Sequence, residues 1–571
     1  MTDVRAPLNV SVGEARRLAR RGRWLVVAIV YLIAMALFFR GQILSGFDLG
    51  FSDRADGLIE ISILEHWRAV FAGAANWNVT GYFAPYPDTL GYNDGYLLYG
   101  VVYSFWRLFA DPLLADTLNI ATFKTIGFFA AYRLVVRVLG WERLAGLMVA
   151  LVFTNANGLM VQAGHAQVQT VALLPVAMIL AFLAAREARG RRPIRGGLWA
   201  MALALLMAAW LLTAYYMAWF TLVFATLFAL CWMMTSGNWR PSTLRRVAAP
   251  YYGVLAVGLA SFAVALIPFL ALYLPKIRES GGRAYPAAFP YLVLPGDVLN
   301  VGPSNYVWGW LFGASPGGEH STGIAPFLFL LAVAALWRSI AAPSGPGQGF
   351  APPLWRAAAL AVTVSWLMTI RVGTVSGWAM VSDLVPGARG LRVVSRYQLF
   401  LVLPLLLIVT AVFRQVARRA WRRRPVILAA VLTLLVAEEF GSDVPVQLSR
   451  TRDGAVLAAA PAPPAPCRTF YVVSARRGDP PYGDAAHTAL YPHNVDAMYL
   501  AARWTLPTIN GFSSINPPDW DFANPRDPDY DLRVANYAAR HAIEHLCRLD
   551  MARPQPWTEV DRGYAPLHVL P

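Results

Sequence analysis

Trp24 to Leu44 reads WLVVAIVYLIAMALFFRGQIL, directly behind Arg16, Arg17, Arg20, Arg21 and Arg23. A helix crosses the hydrocarbon core of a bilayer with about 20 mostly apolar residues, so this run is long enough to span. The arginines hold its leading end in the cytoplasm. A cleaved signal peptide would have a shorter apolar part and a small-residue cleavage site behind it. Neither feature is present, and the run is read as an uncleaved first span.

Working outward, further apolar runs lie at roughly 117–138, 143–163, 167–185, 198–215, 216–234, 249–274, 323–338, 355–371, 396–413 and 425–440, which predicts eleven spans in all. Alternate gaps carry the arginines: Arg133, Arg137 and Arg143; the cluster from Arg186 to Arg195; Arg240, Arg245 and Arg246; Arg338 and Arg356; and the cluster from Arg414 to Arg424. With eleven spans every one of these gaps falls on the side of the N-terminus, as the positive-inside bias requires. That parity holds only if the apolar stretch 96–110 is an interfacial or re-entrant helix rather than a crossing. The opposite face then owns the loops 45–116, 275–322 and 372–395 and the tail from 441. The reading divides the chain into a basic cytoplasmic N-terminus (1–23), a transmembrane region (24–440) and a soluble extracytoplasmic tail (441–571).

Composition agrees. The chain is 57% hydrophobic and only 14% charged, against about 25% charged residues in soluble domains. A net charge of +16 can indicate nucleic acid, but here the basic residues flank apolar runs, which argues for membrane topology and against a nucleic-acid partner. The inner loops are too small for a nucleotide-binding domain, and no Gly-x-x-x-x-Gly-Lys-Ser/Thr phosphate loop occurs. In the tail, a Pro- and Ala-rich linker at 458–466 precedes a strand-like run from Thr469 to Ser474, a loop-rich middle and an amphipathic helical segment around Leu532 to Leu549. This predicts a small α/β domain. Cys467 and Cys547 both lie in it, on the face where a disulfide is chemically permitted; a bridge and two buried thiols both remain open. Cys231 reads as a packed residue of a span.

The chemistry should lie on the outer face. The first loop opens Asp48-Leu49-Gly50-Phe51-Ser52-Asp53-Arg54-Ala55-Asp56-Gly57 and continues into an amphipathic stretch from Leu58 to Phe71. A carboxylate held against the bundle is partly desolvated, which makes it a better base, while Arg54 can keep it ionised. The same spacing suits a helix cap by Asp56. Farther on, Tyr92 and Asn93 sit in a Tyr- and Pro-rich run suited to an aromatic belt or to stacking against a sugar. His165 and Gln167 lie in a polar turn between two spans, Gln162 to Gln169, where polar residues tend to face cavities. The pair Glu319-His320 suits a metal or phosphate contact or a wet loop end. Arg389, Arg392 and Arg396 stand on the outer face against the charge bias, suiting a lipid phosphate or headgroup snorkelling.

Taken together, the first span, the acidic outer loop from Asp48 to Asp56, the stretch from Pro85 to Gly100 and the Gly164-His165-Ala166-Gln167 turn resemble the GT-C superfamily of integral membrane glycosyltransferases. That superfamily includes oligosaccharyltransferase catalytic subunits, protein O-mannosyltransferases and the lipid A aminoarabinose transferase. The likeness covers residues 24–234 by motif and the rest by topology. It implies a helical bundle with a small outer domain and an inverting transfer of sugar from a polyprenyl-phosphate donor to an extracytoplasmic glycan, lipid or protein acceptor. It implies Asp53 as the residue that deprotonates or orients the acceptor, with Asp56 second and Asp48 third, and Arg389, Arg392 or Arg396 on the leaving phosphate. Arg54, Tyr92, Asn93, His165, Gln167, Glu319 and His320 would contact substrate. Metal dependence varies within the superfamily, and no metal or other cofactor is expected. The expected place is a bacterial inner membrane, with the N-terminus cytoplasmic and the C-terminus periplasmic or extracellular. The tail lacks a tryptophan-led acceptor-peptide motif, which argues against protein N-glycosylation.

The alternative is a non-enzymatic polytopic transporter or scaffold for lipid-linked saccharides. Transport favours paired charges within spans or two related halves. Lys124 is the main charge inside a span, and no inverted repeat is visible.

Overall fold

In the computed structural model, residues 12–236, 242, 245, 248–313, 318–341, 352–444, 447–476, 492–513 and 515–560 are described. Every apolar run lies in a helix: Val12–Phe38, Pro112–Arg133, Arg143–Thr154, Leu174–Arg189, Pro193–Thr213, Tyr215–Thr235, Tyr252–Ala265, Pro326–Ala341, Pro352–Thr369, Tyr397–Arg423 and Pro425–Phe440. Five helical stretches among the described residues are by themselves long and apolar enough to cross a membrane: Arg143–Val161, Ala166–Arg189, Pro193–Thr213, Tyr215–Thr235 and Val394–Arg423. A sixth forms if Ala249–Ala265 and Ile267–Ser280, bent by 49°, count as one span. The bend falls just before Pro268, whose missing N–H and bulky ring break the helical ladder there. The chain is therefore mostly helical, with five or six candidate spans by length and composition.

The first apolar run is interrupted where its sequence carries a charge. Its helix stops at Phe38, and the short helix Arg40–Leu44 continues it. Arg40 donates to the carbonyl of Ser442 and lies 3.4 Å from Asp443, so the charge sits near the end of the run, against the residues that follow the helix Pro425–Phe440. Lys124 is buried, donating to the Thr154 carbonyl at 2.6 Å with its ammonium over the Phe38 ring. It does not snorkel. The stretch 96–110 forms only Leu97–Trp106, about 15 Å at 1.5 Å per residue and half the thickness of a hydrocarbon core.

The amphipathic segment of the first outer loop is the helix Asp56–Phe71, buried along most of its length. It lies between Leu97–Trp106 and the tail helix Pro492–Trp504. Gly100 makes the first contact possible, since a Cβ there would fall 2.6 Å from Trp67 Cβ. In the tail, Thr469–Ser474 pairs in parallel with Leu546–Asp550, which pairs antiparallel with Trp557–Glu559. Phe470 stands opposite Cys547, and a disulfide joins Cys467 to Cys547 with Cα atoms 5.6 Å apart. The expected helix over Leu532 to Leu549 is corrected: it spans Tyr530–Arg540, and the remainder is the central strand. Ala542 and His545 both take positive φ, which ends the helix, and Leu546–Asp550 is buried throughout, unlike a half-exposed amphipathic face. The loop-rich middle holds the helix Pro492–Trp504.

The tail is docked on the first outer loop. Gly50 donates to the Leu448 carbonyl at 2.7 Å, Thr508 to the Gly81 carbonyl at 2.7 Å, and Phe83 to the Asn510 carbonyl at 3.0 Å. Tyr537 adds a bond to the Ala84 carbonyl at 3.0 Å. Pairing main-chain groups in these loops removes a cost that isolated buried amides would carry. One continuous apolar core runs from the bundle into the tail.

Candidate active site

Behind the first helix the chain reverses through Ser52, at φ 65°, and the Asp53 carboxylate turns back on its own backbone. Its Oδ1 accepts from the amides of Ala55 at 2.8 Å and Asp56 at 2.9 Å. These are among the first amides of the helix Asp56–Phe71, which lack partners inside the helix. Asp53 thus closes a turn onto the N-cap residue Ala55 and the first helical amide, and Asp56, which the spacing suited to a cap, is itself the first helical residue with its carboxylate left to point outward. The polar turn after Arg143–Thr154 packs on this reversal: a Cβ on Gly164 would lie 3.3 Å from Ser52 Cα. Closeness of the two loops delivers the next residue, His165, to Asp56.

His165 bridges two carboxylates. Its Nδ1 is 3.2 Å from Asp56 Oδ2 and its Nε2 is 3.5 Å from Glu319 Oε1. Glu319 in turn takes a two-pronged contact from Arg396, one prong being Nε to Oε2 at 3.1 Å. Arg396 is 6% exposed and lies over the Tyr216 ring at 5.7 Å. A carboxylate, an imidazole, a second carboxylate and a guanidinium are therefore chained together from four distant parts of the sequence. Because the two imidazole nitrogens face opposite ways, His165 connects the two acids.

The acids differ in their electrostatics. Burial works against ionising Asp56, but the His165 imidazole, then the charges of Arg396 and Arg392, outweigh it and hold the carboxyl below the usual range. Burial likewise opposes Glu319, and Arg396 overrides it. One helical turn on, Glu60 goes the other way: burial, then the neighbouring Asp116, push it well above the ordinary value. Burial also raises Asp94, against the pull of the Tyr215 amide and of Arg396 and Arg283. Environments that push neighbouring acids apart are a mark of acid–base sites. Such a cluster can keep a half-exposed Asp56 ionised as a hydrogen-bond acceptor, and it can present positive charge from Arg396 and Arg392 to an anion.

Of the residues singled out in the sequence, Asp56, His165, Glu319 and Arg396 come together, with Arg392 close enough to act on Asp56. The Arg392 guanidinium lies over the Tyr291 ring, and its backbone amide donates to the Tyr216 hydroxyl at 2.8 Å. Gln167 accepts from Tyr96 at 3.1 Å, on the short helix after His165. The others lie elsewhere. Asp48 accepts from Ser449 and Thr451, both at 2.8 Å. Arg54 binds the buried Asp496 of the tail at 2.6 Å, and Arg476 reaches the same carboxylate. Tyr92 donates to Glu279 at 2.5 Å, with Lys276 3.0 Å from its hydroxyl. Asn93 donates to Tyr82 and to the Phe512 carbonyl. His320 pairs with Asp297 at 2.6 Å, and Arg389 meets Asp383 at 3.1 Å on the surface. Among the described residues no group of three or more His, Cys, Asp and Glu side chains is placed to hold a metal ion.

Sequence reading passed over Glu60, Asp94 and Asp116. The signal was present for two of them: Glu60 interrupts Leu58-Ile59-Glu60-Ile61 in an otherwise apolar helix, and Asp116 opens a span. It also passed over Glu438 and Glu439, at the C-terminal end of the helix Pro425–Phe440. Glu438 accepts from Trp308 and from the amides of Phe327 and Leu328 at 2.8–2.9 Å, and Glu439 from the amide of Asn157 at 2.7 Å. Glu438 thus ties Trp308 of the second large loop to the start of the helix Pro326–Ala341, and Glu439 holds the start of the short helix Asn157–Val161.

No family model matches the chain, and no curated protein matches it. Among solved structures the chain is similar to the crystal structure of ArnT from Cupriavidus metallidurans in the apo state, at 13% sequence identity and a TM-score of 0.28, covering 69% of this chain and 78% of that one.

Proposed function

We propose that this protein is a membrane glycosyltransferase of GT-C type, which moves a sugar from a polyprenyl-phosphate donor to an acceptor hydroxyl on the outer face, with inversion. The observation that carries this reading is the linked set Asp56, His165, Glu319 and Arg396. It pairs an ionised carboxylate with cationic groups beside it at the ends of the helices, as a reaction with a nucleophilic hydroxyl and a phosphate leaving group needs. Asp56 would accept the acceptor's hydroxyl hydrogen and aim the oxygen at the anomeric carbon. As the new carbon–oxygen bond forms, the bond from the anomeric carbon to the phosphate oxygen breaks, the lipid phosphate leaves with that oxygen, and Arg392 with Arg396 would stabilise the charge gathering on it. His165 would hold Asp56 in place, while Glu319 positions Arg396 and His165.

This assigns the leading role to Asp56 in place of Asp53, whose carboxylate is engaged by the backbone. Eleven crossings, a cytoplasmic N-terminus, an extracytoplasmic tail and a bacterial inner membrane belong to the same proposal. Purified protein supplied with a panel of polyprenyl-phosphate sugars and candidate acceptors should transfer sugar from one donor class. Asp56→Asn should abolish transfer, and Asp53→Asn should retain most of it. Loss confined to Asp53→Asn would return the leading role to that residue; full turnover by both variants would remove the first loop from the mechanism.

A further inference from the structure

A cavity of about 640 Å³ lies at the far end of the helix Asp56–Phe71. It is lined by Glu65 and Arg68 of that helix, by Arg107 and Asp111 before Pro112–Arg133, by Arg450 at the head of the tail and by Arg503 of Pro492–Trp504. Glu65 and Arg68 are nine and twelve residues beyond Asp56, or roughly 14–18 Å along the helix. None of Asp56, His165, Glu319 and Arg396 lines this cavity.

Its acids are already engaged, while its arginines have donors to spare. Glu65 accepts from Arg107 at 2.5 Å, Tyr103 at 2.7 Å and Arg68 at 2.9 Å. Asp111 accepts from Arg450 at 2.8 Å and from the Leu113 and Leu114 amides, both at 3.1 Å. The third lining acid, Asp48, is held by Ser449 and Thr451. A guanidinium carries five N–H donors. Among the described residues Arg68 uses one, to Glu65, and Arg503 uses one, to the Leu457 carbonyl at 2.8 Å. Four arginines therefore line a space whose three carboxylates are satisfied, and two of them, Arg68 and Arg503, spend one donor each.

Apolar side chains stand beside this cationic space. Leu44 and Phe47 flank the lining residue Gly46 and are 85% and 38% exposed; Leu108 and Phe109 follow Arg107 and are both 73% exposed. Both edges lie where helices meet the outer loops, at the level of a bilayer interface if the first helix is a span. Apolar residues exposed to this degree, close in sequence to the lining residues Gly46 and Arg107 of a cationic pocket, match a ligand with an anionic head and hydrocarbon tails.

The structure assigns this cavity as a binding site for a membrane lipid bearing a phosphate monoester head, with the phosphate between Arg68 and Arg503 and the chains leaving past Leu44, Phe47, Leu108 and Phe109. The assignment rests on the membrane reading of the first helix and is independent of the transferase reaction. The test is retention of short-chain phosphatidic acid by the full chain in neutral detergent, read by native mass spectrometry beside phosphatidylcholine of the same chain length. Phosphatidic acid should be retained at least about tenfold better, and R68Q/R503Q should erase that preference. A second variant, L108S/F109S, should weaken retention of phosphatidic acid and leave the weaker binding of inorganic phosphate unchanged. It touches no lining arginine, so misfolding of one variant does not decide the question. Equal retention of the two lipids, or an undiminished preference in R68Q/R503Q, overturns the site. Displacement of phosphatidic acid by equimolar inorganic phosphate overturns the lipid as the source of the phosphate.

Discussion

Two aspartates three residues apart have been given different work by a backbone turn. Asp53 spends its carboxylate on the amides of Ala55 and Asp56, so Asp53→Ala should cost about 1 kcal/mol of stability, as lost caps do, with little change in turnover per folded molecule. Asp56→Asn should do the reverse, lowering turnover by on the order of 100- to 10,000-fold with little change in the melting temperature. Steady-state transfer beside thermal unfolding in detergent separates the two. The Glu319–Arg396 pair predicts a stability effect. Arg396 is buried, so Glu319→Ala leaves an uncompensated cation and should cost about 3–5 kcal/mol. The sign with pH follows from the direction of the shift. Because Arg396 lowers the Glu319 carboxyl from its ordinary 4.5, the pair's contribution is fully present above about pH 4.5 and is lost as pH falls through the lower folded value. Acid unfolding of the wild type should therefore be steeper than that of Glu319→Gln, and identical acid profiles would count against the pair.

Elements were legible where a single periodicity governs them and misread where tertiary pairing decides. Each apolar run became a helix because a span satisfies its own backbone and needs no partner to declare itself. Residues 541–550 misled because alternation over a few positions suits an amphipathic helix end and a buried strand equally. Only pairing with Thr469–Ser474 chose the strand. That pairing sets Cys547 beside Phe470, three residues from Cys467, and the disulfide closes a loop of 80 residues. In a chain-entropy account such a loop contributes on the order of 4–5 kcal/mol. Cys467→Ser with Cys547→Ser should therefore lower the tail's resistance to proteolysis and shift its unfolding below that of the bundle. Unchanged protease sensitivity in both would mean the bridge adds nothing to the docked tail. The site, by contrast, was legible only as a set of candidates. His165 and Glu319 looked alike as polar residues at helix ends, and nothing local says that Gly164 packs on Ser52 while His320 turns away to Asp297.

For the whole molecule, the decisive quantity is the parity of crossings. Five stretches are long and apolar enough by themselves, and a bent pair makes a sixth; the remaining runs form shorter helices or helices with charges at their ends. Arg40 and Lys124 are the charges in the first two apolar runs, and both are engaged by protein groups. One is drawn to the residues that follow the helix Pro425–Phe440 and the other is buried against Thr154 and Phe38, so neither needs to face lipid. The arginine clusters retain the stronger constraint, since each lies on the N-terminal side only when an even number of crossings precedes it, which requires that Leu97–Trp106 does not cross. The proposed cluster then has a definite address. Asp56, His165, Glu319 and Arg396 come from loops or helix ends all assigned to the face opposite the arginine clusters, and the tail is hydrogen-bonded to the first of those loops. Alkaline phosphatase, active only outside the cytoplasm, should therefore be active when fused after Val560 and inactive when fused between Ala341 and Pro352. Fusion between Phe109 and Pro112 should also be active, since a crossing by Leu97–Trp106 would place that point inside. Activity at the Ala341–Pro352 position would reverse the parity and put the cluster on the cytoplasmic face, where a lipid-phosphate donor presented from outside could not reach it.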